Sequence, residues 1–152
     1  MTHQQPLISK LSYVAVCWVV TLTVTSAQEV EQATTKRKVQ AVIDEVDKTC
    51  REKTVYMIGP EKAKRLAELV RQKKPKVVVE CGTAIGYSGL WIARELKVAG
   101  QGKLITIEID KDRSRQACEH FRRAGLEDIV DARVGDARKL VREIEEPVDF
   151  LF

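Results

Sequence analysis

A chain of 152 residues is long enough for one domain and short for two. Its 44% hydrophobic content excludes a disordered chain, and Lys+Arg 26 against Asp+Glu 22 leave a net charge of +4 that selects no particular partner. Four cysteines without a C-x-x-C pair exclude a disulfide scaffold and a zinc site.

Residues 1–27 read as a targeting segment. Met1 to Lys10 is polar with a single Lys, Leu11 to Val24 is apolar and uncharged, and Thr25-Ser26-Ala27 offers small residues for cleavage. A spanning helix needs about 20 apolar residues, so a cleavable signal peptide is preferred to an uncleaved anchor. The segment implies an exported or membrane-associated protein, or a cytoplasmic one if it is not used for export. Without it the chain loses Lys10 and no acid, and the net charge falls from +4 to +3. Cys17 leaves with it, and Cys50, Cys81 and Cys118 remain.

Residues 28–54 read as an N-terminal helix packed as a flap, because Val39, Val42, Ile43 and Val46 recur at helical spacing. Val55 to Gly59 is a linker, and Pro60 opens the next helix. That helix turns Ala63, Leu66, Ala67 and Val70 inward and stops before Pro75. The basic run Lys62, Lys64, Arg65, Arg71, Lys73, Lys74 and Lys76 is interleaved with Glu61 and Glu68 and has no aromatic companions. It is read as a solvated face, with no nucleic acid expected.

Val77-Val78-Val79-Glu80 is a β-branched run suited to a strand buried on both faces. The chain then turns through Gly82 and Gly86 and becomes a helix from about Tyr87. Gly100 and Gly102 break the chain before a second strand, Leu104 to Asp110. Asp110 caps a helix that runs to Ala124, with Ala117 and Phe121 inward, Gly125 as its stop and His120 exposed among charges. Val130, Ala132 and Val134 alternate with Asp131 and Arg133, the pattern of a half-solvated edge strand. Gly135-Asp136-Ala137 starts a last helix with Leu140, Val141 and Ile144 as its stripe. Pro147 precedes a fourth strand, Val148 to Phe152. The fold class is therefore α/β, a parallel sheet of about four strands with flanking helices. Right-handed crossovers give the order 3-2-1-4 and leave the fourth strand as an edge.

The chemistry gathers at the strand ends, where open α/β sheets bind ligands. Gly82 permits a sharp exit from the strand, and Gly86 permits close backbone approach. Ser88 falls in the first helical turn, where free N–H groups attract a carboxylate or phosphate. Glu80 ends an apolar strand and needs a cation or a donor. Glu108 lies where a βαβ unit places an acid for two ribose hydroxyls. The glycine spacing is G-x-x-x-G, not G-x-G-x-x-G, so an adenosine ligand without a pyrophosphate is expected. Cys81 is read as a small packing residue, since no partner is placed to activate it.

Val77 to Ser88 followed by Leu104 to Asp110 resembles the cofactor-binding half of S-adenosylmethionine-dependent O-methyltransferases of the catechol and caffeoyl-CoA type. The resemblance covers residues 55–152 and implies a partial Rossmann-like methyltransferase domain. It implies S-adenosyl-L-methionine as cofactor, held by Ile58 in the linker, by Glu80, Gly82, Gly86, Tyr87 and Ser88 around the turn, and by Glu108. Asp136, beside Ala137, would accept the adenine amine. The implied reaction is an in-line methyl transfer to a hydroxyl of a small phenolic or catechol-like acceptor. A divalent metal such as Mg is expected of the family, with ligands and catalytic residues beyond Phe152, so this chain reads as an incomplete domain without catalytic or metal residues of its own. An export signal conflicts with a cofactor kept in the cytosol. Two alternatives stay open: a nicotinamide-dependent oxidoreductase half, and an interaction module that self-associates through the exposed fourth-strand edge.

Overall fold

The computed structural model describes residues 9–152, with side chains from residue 27 onward. The described chain divides into two units at residues 34 and 35, and the sheet belongs entirely to the second. The first helix, α1, runs Ser9–Glu52. It is longer than the expected 28–54 helix because residues 9–52 contain neither Pro nor Gly to interrupt it. The expected leader falls largely on residues outside those whose side chains are described. Among the described residues no helix is long and apolar enough to cross a membrane.

Within the second unit, Val39, Ile43 and Val46 of α1 are at most 1% exposed, so this end of α1 is core. The next helix, α2 (Pro60–Lys73), buries the expected Ala63, Leu66, Ala67 and Val70. Its Lys64 and Arg65 pair with Glu61 and Glu68 on the outer face. Strand β1 (Val77–Cys81) leads through the glycine turn into α3 (Tyr87–Ala99), and β2 (Lys103–Glu108) leads into α4 (Lys111–Ala124). Asp110 caps α4 as expected, accepting from the Asp112 and Arg113 N–H groups. Strand β3 (Val130–Val134) is partly exposed along its length.

The last helix is shorter than its apolar stripe suggests. It forms one turn, α5 (Ala137–Leu140), then a 3-10 turn over Val141–Glu143. Val141 and Ile144 still pack inward, against Val77, Val79 and Ile105. The fourth strand, β4, is regular only at Phe150–Leu151, although Asp149 N–H donates to Val77 O (3.0 Å) and Phe152 N–H to Val79 O (2.9 Å). The sheet is parallel, in the order β3-β2-β1-β4.

The register puts Val78 opposite Leu104 and Glu80 opposite Thr106. Because side chains alternate along a strand, these four share one face. Val78 and Leu104 join the main core with residues of α1–α4, and Val77, Val79 and Ile105 form a smaller cluster on the other face.

Candidate functional site

An open cleft of about 270 Å³ lies at the carboxyl end of β1. It is lined by Cys50 of α1, Met57 and Ile58 of the linker, Phe152 after β4, and residues of the β1–α3 turn. Successive crossovers leave β1 toward β2 on one side and reach β4 on the other, so the cleft sits at the point where strand order reverses. That is where α/β sheets open a crevice for ligands. Of the expected residues, Ile58, Gly82, Tyr87 and Ser88 line this cleft.

Beneath it lies Glu80, with no exposed surface. Its Oε1 accepts from Ser88 Oγ and its Oε2 from Thr106 Oγ1, each at 2.5 Å, and Thr106 Oγ1 lies 2.5 Å from Thr83 Oγ1. The expected donor to Glu80 is thus a chain of hydroxyls, not a cation. Loss of hydration pushes the Glu80 carboxyl up to about 7; the two hydroxyl donors oppose this, and the nearby Glu108 charge adds to it. Helix α3 approaches this acid closely because residue 89 is Gly. A Cβ there would stand 2.8 Å from Phe121 Cζ and 3.1 Å from Glu80 Oε2.

Glu108 ends β2 with 6% exposure. Its Oε2 accepts from Ala84 N–H at 2.7 Å and its Oε1 from Asp110 N–H at 3.0 Å. Each oxygen keeps a second lone pair. Ala84 adopts φ 47, in the left-handed region where an L side chain is strained. Gly86 bounds the turn at φ 92 and accepts the first helical bond of α3, from Leu90 N–H at 2.9 Å. The N–H groups of the first α3 turn then have no intrahelical partner, and Tyr87 and Ser88 of that turn reach the cleft.

Asp136 and Ala137 stand at the end of β3, outside the cleft lining. Gly135 N–H donates to Glu108 O (2.9 Å), which keeps this turn beside Glu108. Asp136 Oδ1 accepts from Arg138 N–H at 2.9 Å, and Oδ2 from the Arg138 guanidinium at 2.7 Å. That guanidinium holds the Asp136 carboxyl down at about 2. Of the expected residues, Glu80, Glu108 and Asp136 lie at or just past the ends of β1, β2 and β3.

Two expectations are corrected. Cys81 is exposed and lines the cleft, because burial along β1 runs out at its last residue. His120 is half-buried, with Nδ1 2.8 Å from Ile85 O. Thr83 and Thr106 were not singled out by the sequence, although a lone Thr two residues before Glu108 on an apolar strand marks a polar position on the same face. Among the described residues no group of three His, Cys, Asp or Glu is placed to hold a metal ion.

The sheet order and the cleft at the point where it reverses define a Rossmann-like α/β fold. A family model described as O-methyltransferase matches residues 29–152, and the chain belongs to that family. A catechol O-methyltransferase from Niastella koreensis is 36% identical over 99 residues, covering 62% of this chain and 44% of that protein. The catechol O-methyltransferase of Mus musculus is 30% identical over 111 residues, covering 72% and 41%. An O-methyltransferase from Bacillus cereus, solved in complex with SAH, has a TM-score of 0.65 at 30% identity, covering 74% of this chain and 53% of that one. The chain thus spans less than half the length of the curated relatives it matches.

Proposed function

We propose that this chain holds S-adenosylmethionine (SAM) as the donor for O-methyl transfer to a hydroxyl of a small phenolic or catechol-like acceptor. The observation that carries the reading is Glu108, a buried carboxylate fixed by two backbone N–H groups one strand from the cleft. Its remaining lone pairs suit the two hydroxyls of a ribose. The cleft of about 270 Å³ is at the lower end of ligand sites and takes one end of the molecule. An extended nucleoside with an amino-acid arm would then run from the cleft past Glu108 toward Asp136. The carboxylate of the arm would meet the free N–H groups at the start of α3, and Ile58 and Gly82 would enclose it. A pyrophosphate has no comparable glycine cradle, which disfavours the nicotinamide alternative.

In the transfer the S–C bond of the sulfonium breaks, a C–O bond forms, sulfur keeps the electron pair and leaves as the neutral thioether, and the hydroxyl proton passes to water. Among the described residues the cleft lining holds no carboxylate, imidazole or amine to take that proton. The part of this chain is to hold and orient the donor, and positioning is a large share of the barrier in such reactions. The printed names of the relatives support the acceptor class.

Titration calorimetry of the full chain with SAM and SAH tests the reading. Saturable heat is expected, with affinity about tenfold or more weaker in Glu108→Gln, whose amide would face the Ala84 or Asp110 N–H groups. No heat from a sample shown to be folded would overturn it. A second reading, self-association through β4, is favoured by Leu151, 64% exposed on a strand that among the described residues pairs with β1 alone. Light scattering of Leu151→Lys against the parent chain tests it, and an unchanged mass would sink it.

A further inference from the structure

The geometry points to His120 as a positioning residue for the donor site, one that fixes the β1–α3 turn from the α4 side; the inference rests on the donor-binding reading above. The turn is held on its β2 side by the Thr83–Thr106 hydroxyl contact already described and by three bonds from its backbone. Gly82 and Thr83 N–H donate to Ile107 O at 2.8 and 3.2 Å, and Ala84 N–H donates to Glu108 Oε2 at 2.7 Å. On the opposite side the contact at hydrogen-bond distance is His120 Nδ1 to Ile85 O, 2.8 Å. A carbonyl can only accept, so Nδ1 carries the proton and donates.

Neighbouring residues of α4 complete the seat. Ala117 Cβ and Phe121 Cζ both lie 3.3 Å from where a Cβ on Gly86 would stand. Helix α4 thus presses on Gly86 by packing and fixes Ile85 by a directed bond. Between the two clamps sits Ala84, in the left-handed conformation that its own side chain resists. The same Glu108 oxygen that restrains Ala84 belongs to the carboxylate assigned to the ribose. Release of the Ile85 carbonyl would let the 84–85 segment relax and would shift that acid, although His120 touches no ligand. None of the residues assigned to the donor explains why an imidazole faces this carbonyl.

Two variants separate a directed bond from simple space filling. His120→Asn keeps an N–H donor on the atom equivalent to Nδ1, and His120→Leu keeps bulk without a donor. The readouts are hydrogen exchange at the Ala84 amide, SAH affinity by calorimetry, and melting temperature. His120→Leu is expected to speed Ala84 exchange and weaken SAH about tenfold, the upper range for one neutral hydrogen bond. His120→Asn is expected to stay within about threefold of the parent in both. Equal losses in both variants, or no change in His120→Leu, would overturn the inference. If the parent chain binds no SAH, the donor-binding reading fails, and Ala84 exchange alone then supports or overturns the clamp.

Discussion

Glu80 is an acid placed where water cannot reach it, and its neighbours are hydroxyls instead of a base. Its folded pKa of about 7 stands above the ordinary carboxylate value of 4.5. The folded state therefore holds a proton that the unfolded chain has released between those two values. Stability contributed by the neutral acid is fully present below about pH 4.5 and is lost as pH rises through 7, by up to about 3 kcal/mol. Asp136 works the other way, since its carboxyl is held down at about 2 from 3.8. Its contribution is present above 3.8 and is lost as pH falls through 2, so the two windows do not overlap. Glu80→Gln is expected to flatten the decline in melting temperature between pH 4.5 and 7, checked by thermal scans at fixed ionic strength. An unchanged slope would mean that Glu80 is ionised throughout. Glu80 and Glu108 were legible in the sequence as acids ending apolar runs. The hydroxyl chain through Thr83 and Thr106 was not, because it depends on the register that sets Glu80 opposite Thr106.

Among the elements, α1 departs most from its expected role. A flap can be loosened at little cost, whereas Ile43 at 1% exposure is as buried as the strands. Ile43→Ala is expected to cost about 2–5 kcal/mol, measured by denaturant unfolding. A loss under about 1 kcal/mol would restore the flap description. Helices α2, α3 and α4 began and ended where Pro60, Gly100, Asp110 and Gly125 predicted, since caps and stops are local chemistry. The segment after Asp136 was misjudged for length, because Leu140, Val141 and Ile144 satisfy a helical stripe and a 3-10 turn alike. Tertiary contact with Val77, Val79 and Ile105 decides between them. His120 was misread for the same reason, since its partner lies 35 residues away on another element.

For the whole molecule, the sheet is covered unequally. Helices α1–α4 contribute to the core on one face, and one turn with its 3-10 extension packs on the other. The strand order β3-β2-β1-β4 agrees with the order expected of right-handed crossovers. Glu80, Glu108 and Asp136 stand at or just past the ends of three neighbouring strands, so a ligand spanning them would tie β1, β2 and β3 together. SAH at about 100 times its dissociation constant is expected to add about 2.7 kcal/mol to unfolding stability. For a chain of this size that raises the melting temperature by several degrees, which differential scanning fluorimetry would detect. A midpoint unmoved by saturating SAH would count against a site shared by the three strands.

Cys81 at the mouth of the cleft and Cys118 on the exposed side of α4 are both free thiols open to solvent, whereas Cys50 is buried. This distribution supplies a reporter and an internal reference within one polypeptide. Brief alkylation followed by peptide mass spectrometry should mark both outer sulfurs in the empty protein. An occupant of the cleft should shield Cys81 and leave labelling of Cys118 unchanged, which gives an occupancy gauge that needs neither turnover nor a tagged ligand.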